Sequence, residues 1–275
     1  MMSKDSPIAV FDSGVGSYSI MRMLQKELSD EHYLYLADRK SFPYGSKTHQ
    51  ELGEIILCTV RWLEEKYQPK LIIVASNTPS IQVLSEVQSK VKSKMIGVYP
   101  PIEKAATITK TRHIAILATK GAVQSSEIDN FIASKNLPKD IVIHKVDASN
   151  LVGLVEPGTF QTDPQTTELV IRSVVDPLLS KDKMIDTMTL SSTHLPFLLT
   201  YLQKLYPNVF FLDPAEIVAK QTKDYLTEKN ILSSKDGKIM ILTTVDKAGK
   251  LKPKGLKMIF KNLGLDTEIH VVNIV

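Results

Sequence analysis

The chain reads as an α/β protein of two pseudo-symmetric lobes, each a mostly parallel sheet flanked by helices, with the site in a cleft between them. Three observations predict this. Short β-rich apolar runs alternate with longer helix-period stretches along nearly all 275 residues, the pattern of parallel sheets covered on both faces. Two pairs of segments echo one another: IAVFDSGVGS (8–17) resembles IAILATKGAV (114–123), and LIIVASNTPSIQVL (71–84) resembles DTMTLSSTHLPFLL (186–199). Each echo is a strand ending in a small, polar, helix-starting turn, and such strand C-termini are where doubly wound sheets bind ligands.

The strands, in order, are IAVF (8–11), YLYLA (33–37), LIIVA (71–75), IGVY (96–99), IAIL (114–117), IVIHKV (141–146), the run 185–190, VFFL (209–212), KIMILT (238–243) and EIHVV (268–272). Amphipathic stretches at 46–67, 80–92 and 215–229 supply helices between them. Ten strands are many for one open sheet. Pro100-Pro101 and the Tyr206-Pro207-Asn208 turn mark crossings between lobes, giving residues 1–98 plus 208–275 as one lobe and 99–207 as the other.

Composition narrows the class of function. With 43% hydrophobic and 23% charged residues and only 12 Gly and 14 Pro, the chain is neither disordered, collagen-like nor a coiled coil. A single cysteine, Cys58, closes no intrachain disulfide and builds no thiolate zinc site, and it reads as a structural residue in a helix. No apolar run approaches the roughly 18–20 residues of a membrane span, and the N-terminus lacks signal-peptide features, so a cytoplasmic protein with no membrane partner is expected. The net charge of +4 is too small to argue for nucleic acid. The local excess of Lys247, Lys250, Lys252, Lys254, Lys257 and Lys261 has only Phe260 as an aromatic companion and reads as a solvated face.

Chemistry concentrates in the echoed turns. Asp12-Ser13-Gly14-Val15-Gly16 follows a strand and opens a helix, so its amides can face a carboxylate or phosphate, although a plain helix cap by Asp12 or Ser13 fits too. The third glycine of a dinucleotide fingerprint and the Lys-Ser/Thr of a P-loop are missing. Ser76-Asn77-Thr78 and Ser192-Thr193-His194 each present a hydroxyl just after a buried strand, as a site or as an N-cap. His194 beside a hydroxyl is an acid/base candidate, whereas the absence of Gly-x-Ser-x-Gly disfavours a hydrolase elbow. Pro43-Tyr44-Gly45 is a turn able to fold over a ligand, and Glu156-Pro157-Gly158 reads as a helix-ending turn.

FDSGVG, AD...FPYGSK, VASNTPS, the Ala-Thr-Lys-Gly turn, LVEPG and DTMTLSSTHLP follow in the order and spacing of the glutamate racemases. The resemblance, to cofactor-independent members of the aspartate/glutamate racemase superfamily, spans almost the whole chain. It implies no cofactor, no metal, a homodimer, and two cysteines that exchange the substrate Cα proton from opposite faces. Those cysteines fall at Ser76 and Ser192 in this chain, expected to face each other across the cleft. Asp12, Glu156 and His194 match polar residues that assist the acid/base pair. Asp12, Ser13, Tyr44, Gly45, Asn77, Thr78, Thr119 and Thr193 match residues that hold the amino acid's carboxylate and ammonium groups. Ser17, Pro79, Ala118, Ala122, Ser191 and Leu195 are further departures from the pattern.

A serine hydroxyl is far less acidic than a thiol of pKa about 8.5. The resemblance therefore implies a glutamate racemase-like protein that binds glutamate or a similar acidic amino acid with racemisation impaired or lost, through natural or engineered serines. The alternatives are a working racemase interconverting L and D forms, and a non-catalytic interaction protein on the same scaffold.

Overall fold

The computed structural model describes residues 3–234, 236–245, 253–262 and 268–274. Lys247, Lys250 and Lys252 of the lysine-rich stretch lie outside the described residues.

All ten expected strands form: β1 (Ile8–Asp12), β2 (Tyr33–Ala37), β3 (Leu71–Val74), β4 (Met95–Gly97), β5 (His113–Ala118), β6 (Val142–Asp147), β7 (Thr187–Leu190), β8 (Phe210–Leu212), β9 (Ile239–Thr243) and β10 (Ile269–Val271). They divide into two sheets, ordered β10-β9-β2-β1-β3-β4 and β6-β5-β7-β8, with every pairing parallel. The α/β class is thus borne out. Strands β1, β2 and β3 are buried at every residue, as expected of central strands covered on both faces.

The chain forms two compact units, residues 1–98 with 215–275 and residues 99–214. The first change of unit falls between Val98 and Tyr99. The second lies after β8 rather than at Tyr206-Pro207-Asn208, because β8 hydrogen-bonds to β7 and so belongs with the second sheet.

The echoed segments occupy matching places. The order β2-β1-β3-β4 repeats as β6-β5-β7-β8, and the ladder repeats in detail. Ala75 N–H donates to Phe11 O at 2.8 Å, as Ser191 does to Leu117 O; Asp38 N–H donates to Asp12 O at 2.7 Å, as Ala148 does to Ala118 O. Phe11 therefore corresponds to Leu117, Asp12 to Ala118, Ser13 to Thr119, and Ser76 to Ser192.

Local chemistry sets the helix ends. The helix expected from Ser46 starts at His49, because Ser46 is spent in a 3-10 turn (Tyr44–Ser46) and Thr48 makes a capping box with Glu51. Leu52, Ile56, Val60 and Leu63 of His49–Tyr67 form its buried stripe. Cys58 points outward there as an exposed free thiol, which corrects its reading as a structural residue. The stretch 80–92 is two short helices, Asn77–Gln82 and Leu84–Gln88, parted by Val83 at φ −127°.

The N-terminal end of the first sheet is tied by a buried charge. Lys70 Nζ is 2.5 Å from Glu31 Oε2 and donates to Lys4 O (2.6 Å) and Ile231 O (2.9 Å), while Glu31 Oε1 accepts from Ser233 N–H (2.9 Å). Both side chains are essentially inaccessible, so removing one partner strands the other charge in a low-dielectric interior. Lys70→Ala is expected to destabilise the protein by about 3–5 kcal/mol, read as a lower urea midpoint. Loss of less than about 1 kcal/mol would mean that Glu31 is reached by water or neutralised without its partner.

Candidate active site at the strand ends

Extending the β1/β3 register two residues past its last pair, Phe11↔Val74, sets Ser13 beside Ser76. The same extension past Leu117↔Leu190 sets Thr119 beside Ser192. Each unit thus carries a pair of hydroxyls at the C-terminal ends of its two central strands. The echo seen in the sequence is a structural one.

In the first unit, Asp12 and Ser13 are buried. Asp12 Oδ1 accepts from the Ser13 amide at 2.6 Å and from its hydroxyl at 3.4 Å, an Asx-type contact that holds the turn. The glycine turn has less spare capacity for an anion than its sequence suggests. Tyr18 and Ser19 N–H already donate to Val15 and Gly16 carbonyls, and the Ser17 hydroxyl lies 2.7 Å from Tyr35 Oη instead of capping the helix.

Tyr44 follows the cis Phe42-Pro43 bond in the 3-10 turn that also holds Gly45. Its N–H donates to Ser13 Oγ (3.4 Å) and its hydroxyl to Asp38 Oδ2 (3.2 Å); Thr244 donates to Asp38 Oδ1 (2.9 Å). Asp38 and Thr244 are thus buried supports that the sequence reading did not select. Their signal was a polar residue closing each of two adjacent apolar strands, β2 and β9.

Ser76 and Asn77 lead into the helix Asn77–Gln82. The Ser76 hydroxyl makes no capping bond. Asn77 is 4% exposed, and neither its Nδ2 nor its Oδ1 has a hydrogen-bond partner. Thr78 is buried beside it. Two unsatisfied polar atoms on one buried amide are uncommon in native proteins.

The second unit carries a relay. Ser192 Oγ lies 3.4 Å from His194 Nδ1, and His194 Nε2 lies 2.5 Å from Glu156 Oε1. Glu156 sits in the expected helix-ending turn, where Gly158 takes φ 82°. A hydroxyl, an imidazole and a carboxylate in this order can pass a proton outward, the carboxylate fixing the imidazole's orientation. Thr193 is buried between Ser192 and His194, and Thr119 Oγ1 is buried without a partner. Among the candidate site residues, Asp12, Ser13, Ser76, Asn77 and Thr78 follow the strand ends of the first unit and Thr119, Ser192, Thr193 and His194 those of the second, with Tyr44 and Glu156 hydrogen-bonded to them.

Solved structures similar to the chain place this architecture among the glutamate racemases. They include a glutamate racemase isoform of Bacillus anthracis, 26% identical with a TM-score of 0.86 over 98% of both chains. Another is Escherichia coli glutamate racemase in complex with L-glutamate and an activator, 26% identical with a TM-score of 0.84 over 98% of this chain and 99% of that one. Among curated proteins, the glutamate racemase of Haemophilus influenzae (strain 86-028NP) is 33% identical over 231 residues, 83% of each chain, and that of Deinococcus radiodurans 31% identical over 245 residues, 88% of this chain and 83% of its own. No protein-family model matches the chain. The chain belongs to the glutamate racemase family.

Two measurements probe the site without any ligand assay. Asn77→Leu, similar in shape and apolar, removes two unsatisfied buried atoms whose desolvation costs about 1–3 kcal/mol each, so the ligand-free protein is expected to melt higher than its parent; a lower midpoint would mean that Asn77 is satisfied. The Tyr44 phenol is held well above its ordinary value of 10.0 by burial first, then by the Asp38 and Asp12 carboxylates. The folded state keeps it neutral where the unfolded chain ionises, so its contribution to stability is complete below about pH 10 and is lost as pH rises beyond that. Tyr44→Phe should flatten the fall in unfolding free energy above that pH, measured by urea titration, and an unchanged slope would place Tyr44 in water.

Proposed function

We propose that this member of the family binds glutamate or a similar acidic amino acid through the strand-end residues, and that its racemisation is impaired or lost because serine stands at both acid/base positions. The observation that carries the reading is the chemistry at Ser76 and Ser192. Two-base racemisation needs a base on one face of Cα and a protonated acid on the other, and the two exchange roles when the reaction reverses. Ser192 has His194 and Glu156 behind it as a route for its proton. Among the described residues the Ser76 hydroxyl has no such hydrogen-bonded base, and a hydroxyl is too weak an acid to ionise unaided near neutral pH. One relay does not make two bases.

Holding a substrate is a separate matter. Asn77 and Thr119 keep buried hydrogen-bonding atoms without partners, which suits a carboxylate and an ammonium that would satisfy them. Thr78, Thr193, Ser13, Tyr44 and Gly45 complete the set that the family pattern assigns to substrate. The resemblance also implies a cytoplasmic homodimer, and among the described residues no helix is long and apolar enough to cross a membrane.

The test is solvent-proton exchange at Cα in heavy water, alongside calorimetry of glutamate binding. Heat of binding with no deuterium in either enantiomer supports the reading; racemisation at rates ordinary for an enzyme, about 1–1000 per second, would overturn it. Ser76→Cys with Ser192→Cys is expected to raise racemisation well above the parent, and either single change to help much less, since each direction needs both groups. A double variant that binds glutamate yet stays inactive would move the defect from the two serines to the residues around them. A parent that binds no acidic amino acid would turn the scaffold to an interaction role.

A further inference from the structure

The opposite end of the second sheet carries a cluster that the proposed chemistry does not use and the sequence reading did not select. His113 opens β5, His144 lies on the adjacent β6, and Asp182 closes the helix Pro164–Lys181. His113 Nδ1 is 2.6 Å and His144 Nε2 2.8 Å from the same oxygen, Asp182 Oδ2. The rings lie 26° from parallel with centroids 6.3 Å apart. The second oxygen, Oδ1, accepts from Met184 N–H at 2.9 Å, which fixes the carboxylate plane and leaves Oδ2 to the imidazoles. The three side chains are 26%, 19% and 16% exposed, ordered enough to hold a geometry and open enough to admit an ion. Five residues along β5 separate His113 from Ala118, roughly 17 Å at a strand's rise, so this cluster is independent of the strand-end site.

We propose that His113, His144 and Asp182 bind a divalent transition-metal ion such as zinc, cobalt or nickel. Two imidazole nitrogens with one carboxylate oxygen suit these ions, whereas magnesium and calcium take oxygen donors. The three ligand atoms lie within 4.8 Å of one another. Ligands about 2.0–2.2 Å from a tetrahedral ion stand roughly 3.3–3.5 Å apart, so each imidazole has to swing outward by roughly 0.5–0.9 Å from its hydrogen-bonded position. The ion takes the place of the ring hydrogens that bridge to Oδ2, and each neutral imidazole carries its hydrogen on the other nitrogen instead, so no proton has to leave the rings and the loaded site carries a single positive charge open to solvent. Three protein ligands leave a position for water. Bound there, the ion ties the start of β5 to β6 and to the end of the helix Pro164–Lys181, a brace on the second unit.

The test uses the full chain without a histidine tag, stripped with chelator and titrated with cobalt(II), followed by visible ligand-field absorption, then competed with zinc. Expected are saturation at one equivalent per chain and a higher melting midpoint with the ion. His113→Ala and His144→Ala should each weaken binding by about tenfold or more, while His49→Ala, which removes an exposed imidazole paired with Glu86, should leave it unchanged. Should an alanine variant fail to fold, Asp182→Asn and His144→Gln keep side-chain shape and are read the same way. Absent bands, uptake that never saturates, or binding that survives the His113 and His144 changes would overturn the site.

Discussion

The parallel ladder around one central strand in each unit is the constraint from which the rest follows. In a parallel pair the strand ends that point the same way are adjacent, so whatever residues follow β1 and β3, or β5 and β7, are delivered side by side. The buried strands leave no freedom in register, since a one-residue slip would turn every apolar side chain of β1 to the wrong face. Ser13 and Ser76, and Thr119 and Ser192, are thus positioned by the backbone before any of their own hydrogen bonds form. Loops held by so rigid a frame can be polar, strained or unsatisfied without endangering the fold.

What those loops cost is visible in how they are satisfied. Asp12, Asp38, Tyr44 and Thr244 are buried polar groups joined through Ser13 and the end of β2, and a network so connected avoids the penalty of an unpaired buried group. Asn77 and Thr119 stand outside that arrangement. A protein that needed these positions only for packing would do better with apolar side chains there, as loss of both partners' polarity is nearly neutral while an orphaned group is not.

Most of the fold was legible because its signals are local. Buried parallel strands read as short apolar runs, and each of the ten did so; even β6, exposed along much of its length, carried enough β-branched residues. The echo between 8–17 and 114–123 was legible because the same backbone turn requires similar small residues. The second crossing was misplaced because the Tyr206-Pro207-Asn208 turn looks like a boundary, yet only pairing across the sheet decides where β8 belongs, and pairing leaves no local trace. The partners Asp38 and Thr244 were hidden for the same reason: 206 residues separate them. His144 was masked inside a strand run and His113 stood just before one, where an imidazole looks like one more half-buried residue until Asp182 arrives from a distant helix end.

Duplication makes the departures from symmetry informative. By ladder position Asp12 corresponds to Ala118, so the carboxylate that closes β1 has no counterpart on β5. The second unit instead reaches its strand-end hydroxyl through His194, which corresponds to Thr78, with Glu156 behind it. One unit therefore offers a carboxylate next to the turn and the other an imidazole backed by a carboxylate, two environments with different proton affinities built on one frame. With cysteine at both strand ends these environments would tune two thiols. On the function proposed above, serine at both surrounds the substrate with groups too weakly acidic to respond, and the frame's remaining use is to hold an acidic amino acid rather than to invert it.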